Sequence, residues 1–199
     1  MKLNEFIDAS RDDIISSVQD IVRIPSVKEQ EMPGKPFGEE IDKALNNTLA
    51  LAEKLGFKVK NIDGYAGYAE FGEGQETMGI LGHLDVVPEG SGWTYPPYEA
   101  RIVDGKIYGR GTIDDKGPVI GALYAMKAVM ESGFRMKRRV RLIFGTDEES
   151  GWKDMELYFQ REAMPDFGIT PDGSYPIINV EKGILTFKLK KSFPASDCP

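Results

Sequence analysis

The spacing of apolar residues at the start of the chain predicts two helices. Apolar side chains over Asn4–Arg23 recur as on one face of a helix, and Pro25 is placed to stop it. A polar loop over Lys28–Phe37 follows. A second apolar stripe predicts a helix over Gly38–Leu55, and Gly56 stands where a left-handed residue commonly ends a helix.

Extended apolar runs come next. Strands are predicted over Phe57–Ile62, Tyr65–Phe71 and Thr77–Val87. The third run is mostly apolar, which is typical of a strand buried on both faces of a sheet. Two short strands, Arg101–Val103 and Lys106–Tyr108, are joined by Asp-Gly, a pair that favours a two-residue hairpin turn.

Helical and extended patterns alternate in the second half of the chain. A proline at the start and a glycine after the end bracket a helix over Pro118–Ser132. The remaining predictions are a strand over Arg139–Gly145, a helix over Lys153–Ala163, and extended segments over Phe167–Thr170 and Ile177–Lys190. Strands that alternate with helices indicate an α/β sheet.

Composition and charge narrow the class of protein. The chain has 199 residues, 41% of them hydrophobic, and a formal net charge of -7 with a pI near 4.9. An acidic surface repels nucleic acids and anionic membranes, so neither is expected as a partner. No run approaches the roughly 20 apolar residues of a membrane span, and the start does not resemble a secretory signal. The single cysteine, Cys198, excludes internal disulfides, so a reducing, cytoplasmic compartment is expected.

The candidate chemistry lies where the apolar strands end. His83 and Asp85 close the third run, Asp114 and Asp115 follow the hairpin, and Asp147-Glu148-Glu149 and Asp172 follow the next two strands. In an open α/β sheet, sites form outside the carboxyl ends of the strands. One histidine and at least six carboxylates are therefore expected at one edge of the sheet.

Clustered carboxylates resist ionisation, and divalent metal ions relieve their repulsion. Two zinc ions about 3.5–4 Å apart can share a bridging carboxylate and activate a water molecule. Histidine with carboxylates and no thiolate suits catalytic zinc, with manganese or cobalt as substitutes. On a strand, His83 and Asp85 share a face, so the Asp85 carboxylate can orient the imidazole.

Three ordered motifs give the chain a family likeness. Residues 82–88 (GHLDVVP), 108–117 (YGRGTIDDKG) and 146–151 (TDEESG) resemble the co-catalytic zinc peptidases that include aminoacylases, carnosinases and desuccinylases. Within that family, residues 93–98 and 170–173 also fit the bacterial PepV-type dipeptidases. The resemblance implies a three-layer α/β/α sandwich with a mixed sheet, truncated before a lid domain.

The resemblance also implies a ligand set. His83 and Asp172 would bind one zinc ion, Asp114 would bridge the two ions, and Glu149 would bind the other.

Two further roles and one backbone feature follow from the same resemblance. Asp85 would orient His83, and Glu148 would act as general base, taking a proton from water and passing it to the leaving amine. A cis peptide bond would join Asp114 and Asp115, with Gly109 and Gly111 permitting a tight backbone nearby.

The chain also departs from the family pattern. Members are longer, with an inserted lid domain, a late histidine ligand and a lid histidine that stabilises the oxyanion, whereas this chain has only His83. Residues 1–191 are therefore expected to be the N-terminal portion of the catalytic zinc-binding domain, and residues 192–199 an atypical tail. The lid and the C-terminal part of the catalytic domain are expected to be absent, and the isolated chain nearly inactive.

The function predicted from these observations is zinc-dependent hydrolysis of dipeptides, with a small peptide as partner. Two alternatives stay open: an N-acyl amino acid deacylase of the same family, and a non-catalytic metal-binding remnant. The oligomeric state is left open as well.

Overall fold

The computed structural model describes residues 2–174, 176–180, 182–183 and 185–192. The helices are α1 (Leu3–Ala9), α2 (Arg11–Val22), α3 (Glu39–Lys54), α4 (Lys116–Glu131) and α5 (Lys153–Arg161). The strands are β1 (Lys58–Ile62), β2 (Ala66–Phe71), β3 (Thr77–His83), β4 (Arg101–Val103), β5 (Lys106–Tyr108), β6 (Arg139–Gly145) and β7 (Phe167–Ile169).

Five strands form one mixed sheet in the order β1-β2-β6-β3-β7. The pairs β1–β2 and β2–β6 are antiparallel, whereas β3 runs parallel to both β6 and β7. Ile80 of β3 therefore lies opposite Leu142 of β6 and Ile169 of β7. The parallel half of the sheet brings the carboxyl ends of β3, β6 and β7 to one edge.

Helices cover both faces of this sheet. On one face, α2, α3 and α4 bury the larger core, which includes Leu45, Leu123 and Phe144. On the other face, α5 packs Met155 and Tyr158 against residues such as Ile143. Alternate residues of β6 thus point into different cores, as the period of a strand requires. The predicted three-layer α/β/α sandwich with a mixed sheet is confirmed.

Local turn chemistry agrees with the sequence-based expectations. Gly56 follows α3 with φ of 95°, a left-handed conformation that other residues adopt only with strain. Asp104 and Gly105 both have positive φ between β4 and β5, as a two-residue hairpin turn requires.

Two predicted elements differ from the structure in their extent. The expected first helix is two helices, because the backbone leaves helical geometry at Ser10 while the apolar spacing continues on both sides. The third strand ends at His83 rather than Val87, where Leu84 and Val86 turn to bond Gly145 and Ser26.

The extended segment predicted over Ile177–Lys190 belongs to no strand of the sheet among its described residues. The tail after Ser192, with Cys198, lies outside the described residues. Within the part of the chain that is described, no helix has both the length and the apolar character needed to cross a membrane.

Candidate metal centre

The candidate site is built on the edge where the parallel strands end. His83 is the last residue of β3, and Asp85 follows in the next loop. Asp147, Glu148 and Glu149 follow β6, and Asp172 follows β7. Asp114 reaches the same place from the loop before α4, as its contact with His83 shows.

His83 is the centre of this arrangement. Its ring is almost completely buried, and Nε2 lies 2.9 Å from Asp114 Oδ1 and 3.6 Å from Asp172 Oδ2. On the opposite side of the ring, Nδ1 lies 2.9 Å from the Asp85 carbonyl oxygen and 3.4 Å from Asp85 Oδ1. Asp85 is thus placed to hold the ring while Nε2 faces the other carboxylates.

Two groups of donor atoms converge near Nε2. One contains His83, Asp114 and Glu149, and the other contains His83, Glu148 and Asp172; within each, the donor atoms lie within 4.8 Å of one another. A histidine nitrogen with carboxylate oxygens is a donor set that suits divalent zinc, manganese or cobalt. The four predicted ligands fall into these groups, and Glu148, predicted as a base, is also within reach of an ion.

Backbone bonds tie the loops of the site together. The Asp85 carboxylate accepts from the amides of Glu148 at 3.2 Å and Glu149 at 3.0 Å, in addition to its contact with His83. Asp115, which is fully buried, accepts from the His83 amide at 3.2 Å. The peptide bond between Asp114 and Asp115 is cis, as the resemblance implied.

Glycine is needed where this loop approaches its neighbours. Gly111 has φ of 85°, and a Cβ there would lie 2.9 Å from Lys116 Cδ. A Cβ on Gly109 would lie 2.6 Å from Val22 Cγ1. Both glycines therefore permit the tight backbone that was expected at these positions.

The charges of the site are not balanced. Burial raises the pKa values of Glu148 and Glu149, and neighbouring carboxylates raise them further, although His83 opposes this. Burial also raises the pKa of Asp115 to about 7. Burial disfavours the charged form of His83, but Asp85 and Asp115 outweigh it and raise the pKa of the imidazole to about 10. Burial and mutual repulsion thus disfavour the charged forms of these carboxylates.

A cavity of about 270 Å³ opens beside His83. Glu148, Asp172 and Trp152 are among its lining residues. The cavity therefore gives a small molecule access to the face of the site that Glu148 presents.

Three residues around the site were not singled out from the sequence. Asp154 is buried and accepts from the amides of Thr146 and Asp147, at 2.7 and 3.1 Å. Lys116 is fully buried, and Lys28 forms an ion pair with buried Asp147. The sequence offered one signal for them, the position of Lys116 directly after Asp114 and Asp115. That position did not reveal what Lys116 contacts.

Comparisons with known proteins place this geometry in a family. The model of peptidase family M20/M25/M40 matches residues 79–186, more than half of the chain. "Putative dipeptidase YtjP" of Bacillus subtilis (strain 168) is 50% identical over 181 residues, which are 90% of this chain and 39% of that protein. The "Beta-Ala-Xaa dipeptidase" of Lactobacillus delbrueckii subsp. lactis is 38% identical over 200 residues, covering 99% of this chain and 42% of that protein.

A solved structure agrees with these matches. Human carnosine dipeptidase 1 superposes with a TM-score of 0.71 at 26% identity, over 87% of this chain and 41% of that one. The chain spans about two fifths of the length of these relatives. On the family match, the shared fold and the sequence identities, the chain belongs to peptidase family M20/M25/M40.

Proposed function

We propose that this chain carries the metal-binding half of the active site of a dipeptidase. The observation that supports it most directly is the position of His83, whose Nε2 belongs to two groups of carboxylate donors at the carboxyl edge of the sheet. The relatives compared above are named dipeptidases, which favours short peptides as the substrate class.

The donor set favours two zinc ions, with manganese or cobalt as substitutes. His83 and Asp172 would hold one ion, Glu149 the other, and Asp114 would bridge them. Bound zinc would lower the pKa of a water molecule and polarise the peptide carbonyl. Nothing among the other described residues offers a comparable group of histidine and carboxylate donors.

The protein's own residues would then move the proton. Glu148 lines the cavity, and its raised pKa brings it nearer to the pH at which a carboxylate is an effective base. It would take a proton from the attacking water and pass it to the leaving amine. Asp85 would fix the positions of Glu148 and His83 relative to each other, since its carboxylate accepts from the Glu148 amide and contacts the His83 ring.

Two other readings make different predictions. A deacylase of the same family would use the same metals on N-acyl amino acids. A metal-binding remnant would take up zinc without turnover.

We also propose that the 199-residue chain by itself hydrolyses peptides slowly, because His83 is its only histidine and a missing oxyanion donor costs about 10² to 10³ in rate. A cytoplasmic location stays a prediction.

A hybrid enzyme tests the proposed function. Residues 1–190 would replace the matching part of the B. subtilis relative, and the zinc-loaded hybrid would be assayed on dipeptides and on N-acetyl amino acids. We expect dipeptide hydrolysis that Glu148→Gln lowers by about 10² or more without loss of zinc. Glu156→Gln, on the exposed side of α5, is the matched control.

The alternatives give other results in the same assay. Turnover of N-acetyl amino acids in place of dipeptides would favour the deacylase. Zinc uptake without turnover, with the same uptake in Glu148→Gln, would favour the metal-binding remnant. Normal dipeptide turnover by the 199-residue chain alone would overturn the expected inactivity.

A further inference from the structure

A short segment between α2 and the polar loop contacts three of the four loops that carry the site: those after β3, before α4 and after β6. We call this segment, Ile24–Lys28, the brace. Pro25 has no amide hydrogen and cannot continue α2, so the chain leaves the helix here. Ile24 and Ser26 are nonetheless buried, with 5% and 0% of their surface exposed. The brace lies outside residues 79–186, which the family model matches.

The first contact is with the loop after β3. The Ser26 hydroxyl donates to the Leu84 carbonyl at 2.6 Å, and the Val86 amide donates to the Ser26 carbonyl at 3.0 Å. These two hydrogen bonds fix the backbone immediately before and after Asp85. A parallel bridge between Val27 and Val86 extends the contact.

The second contact is with the loop before α4. Lys116 is fully buried, and its Nζ donates to the Ile24 carbonyl at 2.6 Å. Lys116 follows Asp114 by two residues, and its stem passes under Gly111 at the other end of the same loop. A shift of the brace would therefore be passed to the loop that carries Asp114.

The third contact is with the loop after β6. Lys28 Nζ lies 2.5 Å from Asp147 Oδ1, and the Asp147 side chain is fully buried whereas Lys28 is 35% exposed. The ring of Phe37 supports Lys28 at 5.0 Å from its centroid. Asp147 directly precedes Glu148 and Glu149, and no other cation is paired with it among the described residues.

We propose that the brace positions the loops after β3, before α4 and after β6 relative to one another, with Ser26, Lys28 and Lys116 as positioning residues for the metal centre. This inference rests on the proposed metal site. The ligands come from distant parts of the sequence, and the brace is bonded to three of the loops that bring them together. Groups that hydrogen-bond metal ligands directly typically change metal affinity by 10- to 100-fold when they are replaced, and the brace residues act one contact further from the ligands.

Zinc affinity measured by competition with a chromogenic chelator tests the brace, on variants that keep the far-UV circular dichroism of the unsubstituted chain. Lys28→Met is expected to weaken zinc binding by about tenfold or more, and Lys28→Arg to restore most of it. Lys60→Met is the matched control, because Lys60 also pairs with a carboxylate, Glu162, but away from the site.

Ser26→Ala provides a second test that leaves every charge in place. We expect about tenfold weaker zinc binding. Thr48→Val is its control, since Thr48 is equally buried and its hydroxyl also donates to a carbonyl, that of Ala44, within α3. If the Ser26 hydroxyl had a purely structural role, Ser26→Ala and Thr48→Val would both lower the melting temperature, and neither would change the zinc affinity.

The outcomes separate this inference from the proposed function. Zinc binding by the unsubstituted chain, weakened in Ser26→Ala and Lys28→Met but not in their controls, supports the brace. Tight zinc binding that both variants retain overturns the brace and leaves the metal site standing. No zinc binding by the unsubstituted chain overturns both. If Lys28→Met does not fold, Ser26→Ala decides.

Discussion

Two charged clusters are built on the same strand, β6, and they differ in the balance of cationic and carboxylate side chains. Within the sheet, Arg141 contacts Glu70 at 2.7 Å, and Tyr158 and Glu162 at 3.1 Å each. Lys60 pairs with Glu162 as well. These five residues form the arginine cluster, in which two cations face two carboxylates.

The acidic site at the end of β6 has no such balance. One buried histidine faces the carboxylates of Asp85, Asp114, Glu148, Glu149 and Asp172. The contrast is visible in the glutamates. Burial opposes the ionisation of Glu162, but Lys60 and Arg141 outweigh it and lower its pKa, whereas burial and neighbouring carboxylates raise the pKa of Glu149. One cluster supplies its own cations, whereas in the other the carboxylates outnumber the single histidine that faces them.

The largest effect is expected when the balanced cluster loses its central cation. Arg141→Met leaves the partly buried Glu70 without its cation and Glu162 with Lys60 alone, and breaking a buried ion pair costs about 3–5 kcal/mol. The free energy of unfolding from urea denaturation measures it. Arg138→Met is the control, because its ion pair with Glu76 is exposed and contributes about 1 kcal/mol or less. Equal losses in the two variants would contradict the comparison.

A smaller effect of opposite sign is expected at the acidic site. In the metal-free chain near neutral pH, Glu149→Gln removes one of several repelling carboxylates and should stabilise the fold by about 0.5 kcal/mol. Since a raised carboxyl pKa means that folding favours the protonated form, this gain should vanish as the pH falls below the ordinary value of 4.5.

Glu162→Gln sharpens the same comparison. Its pKa is lowered in the fold, so its stabilising effect is present above its ordinary pKa and is lost only in acid. The substitution should therefore destabilise the chain near neutral pH, where Glu149→Gln stabilises it. Urea denaturation at two pH values measures both, and a destabilising Glu149→Gln at neutral pH would contradict the imbalance.

The sequence was sufficient to predict features that depend only on neighbouring residues along the chain. His83, Asp147 and Asp172 could be placed at one edge because each follows an apolar run that reads as a strand. Gly56 could be placed at a helix end because its conformation depends only on its neighbours.

Pairings across long separations could not be derived in this way. Lys28 and Asp147 are 119 residues apart, and Arg141 lies 71 residues from Glu70. Which carboxylate each cation meets depends on the strand order, in which β6 lies between β2 and β3. The break at Ser10 was missed for a related reason, since apolar spacing records which side of a helix is buried but not where its axis turns.

Metal stoichiometry tests the central claim, that the acidic site is a metal centre, most directly. Elemental mass spectrometry would be applied to the zinc-loaded 199-residue chain, to His83→Ala and Glu149→Ala, and to Glu156→Gln as a control outside the site. We predict one or two zinc ions per chain, fewer in the first two variants and the same number in the control. No specific uptake, or equal uptake by His83→Ala, would contradict the claim.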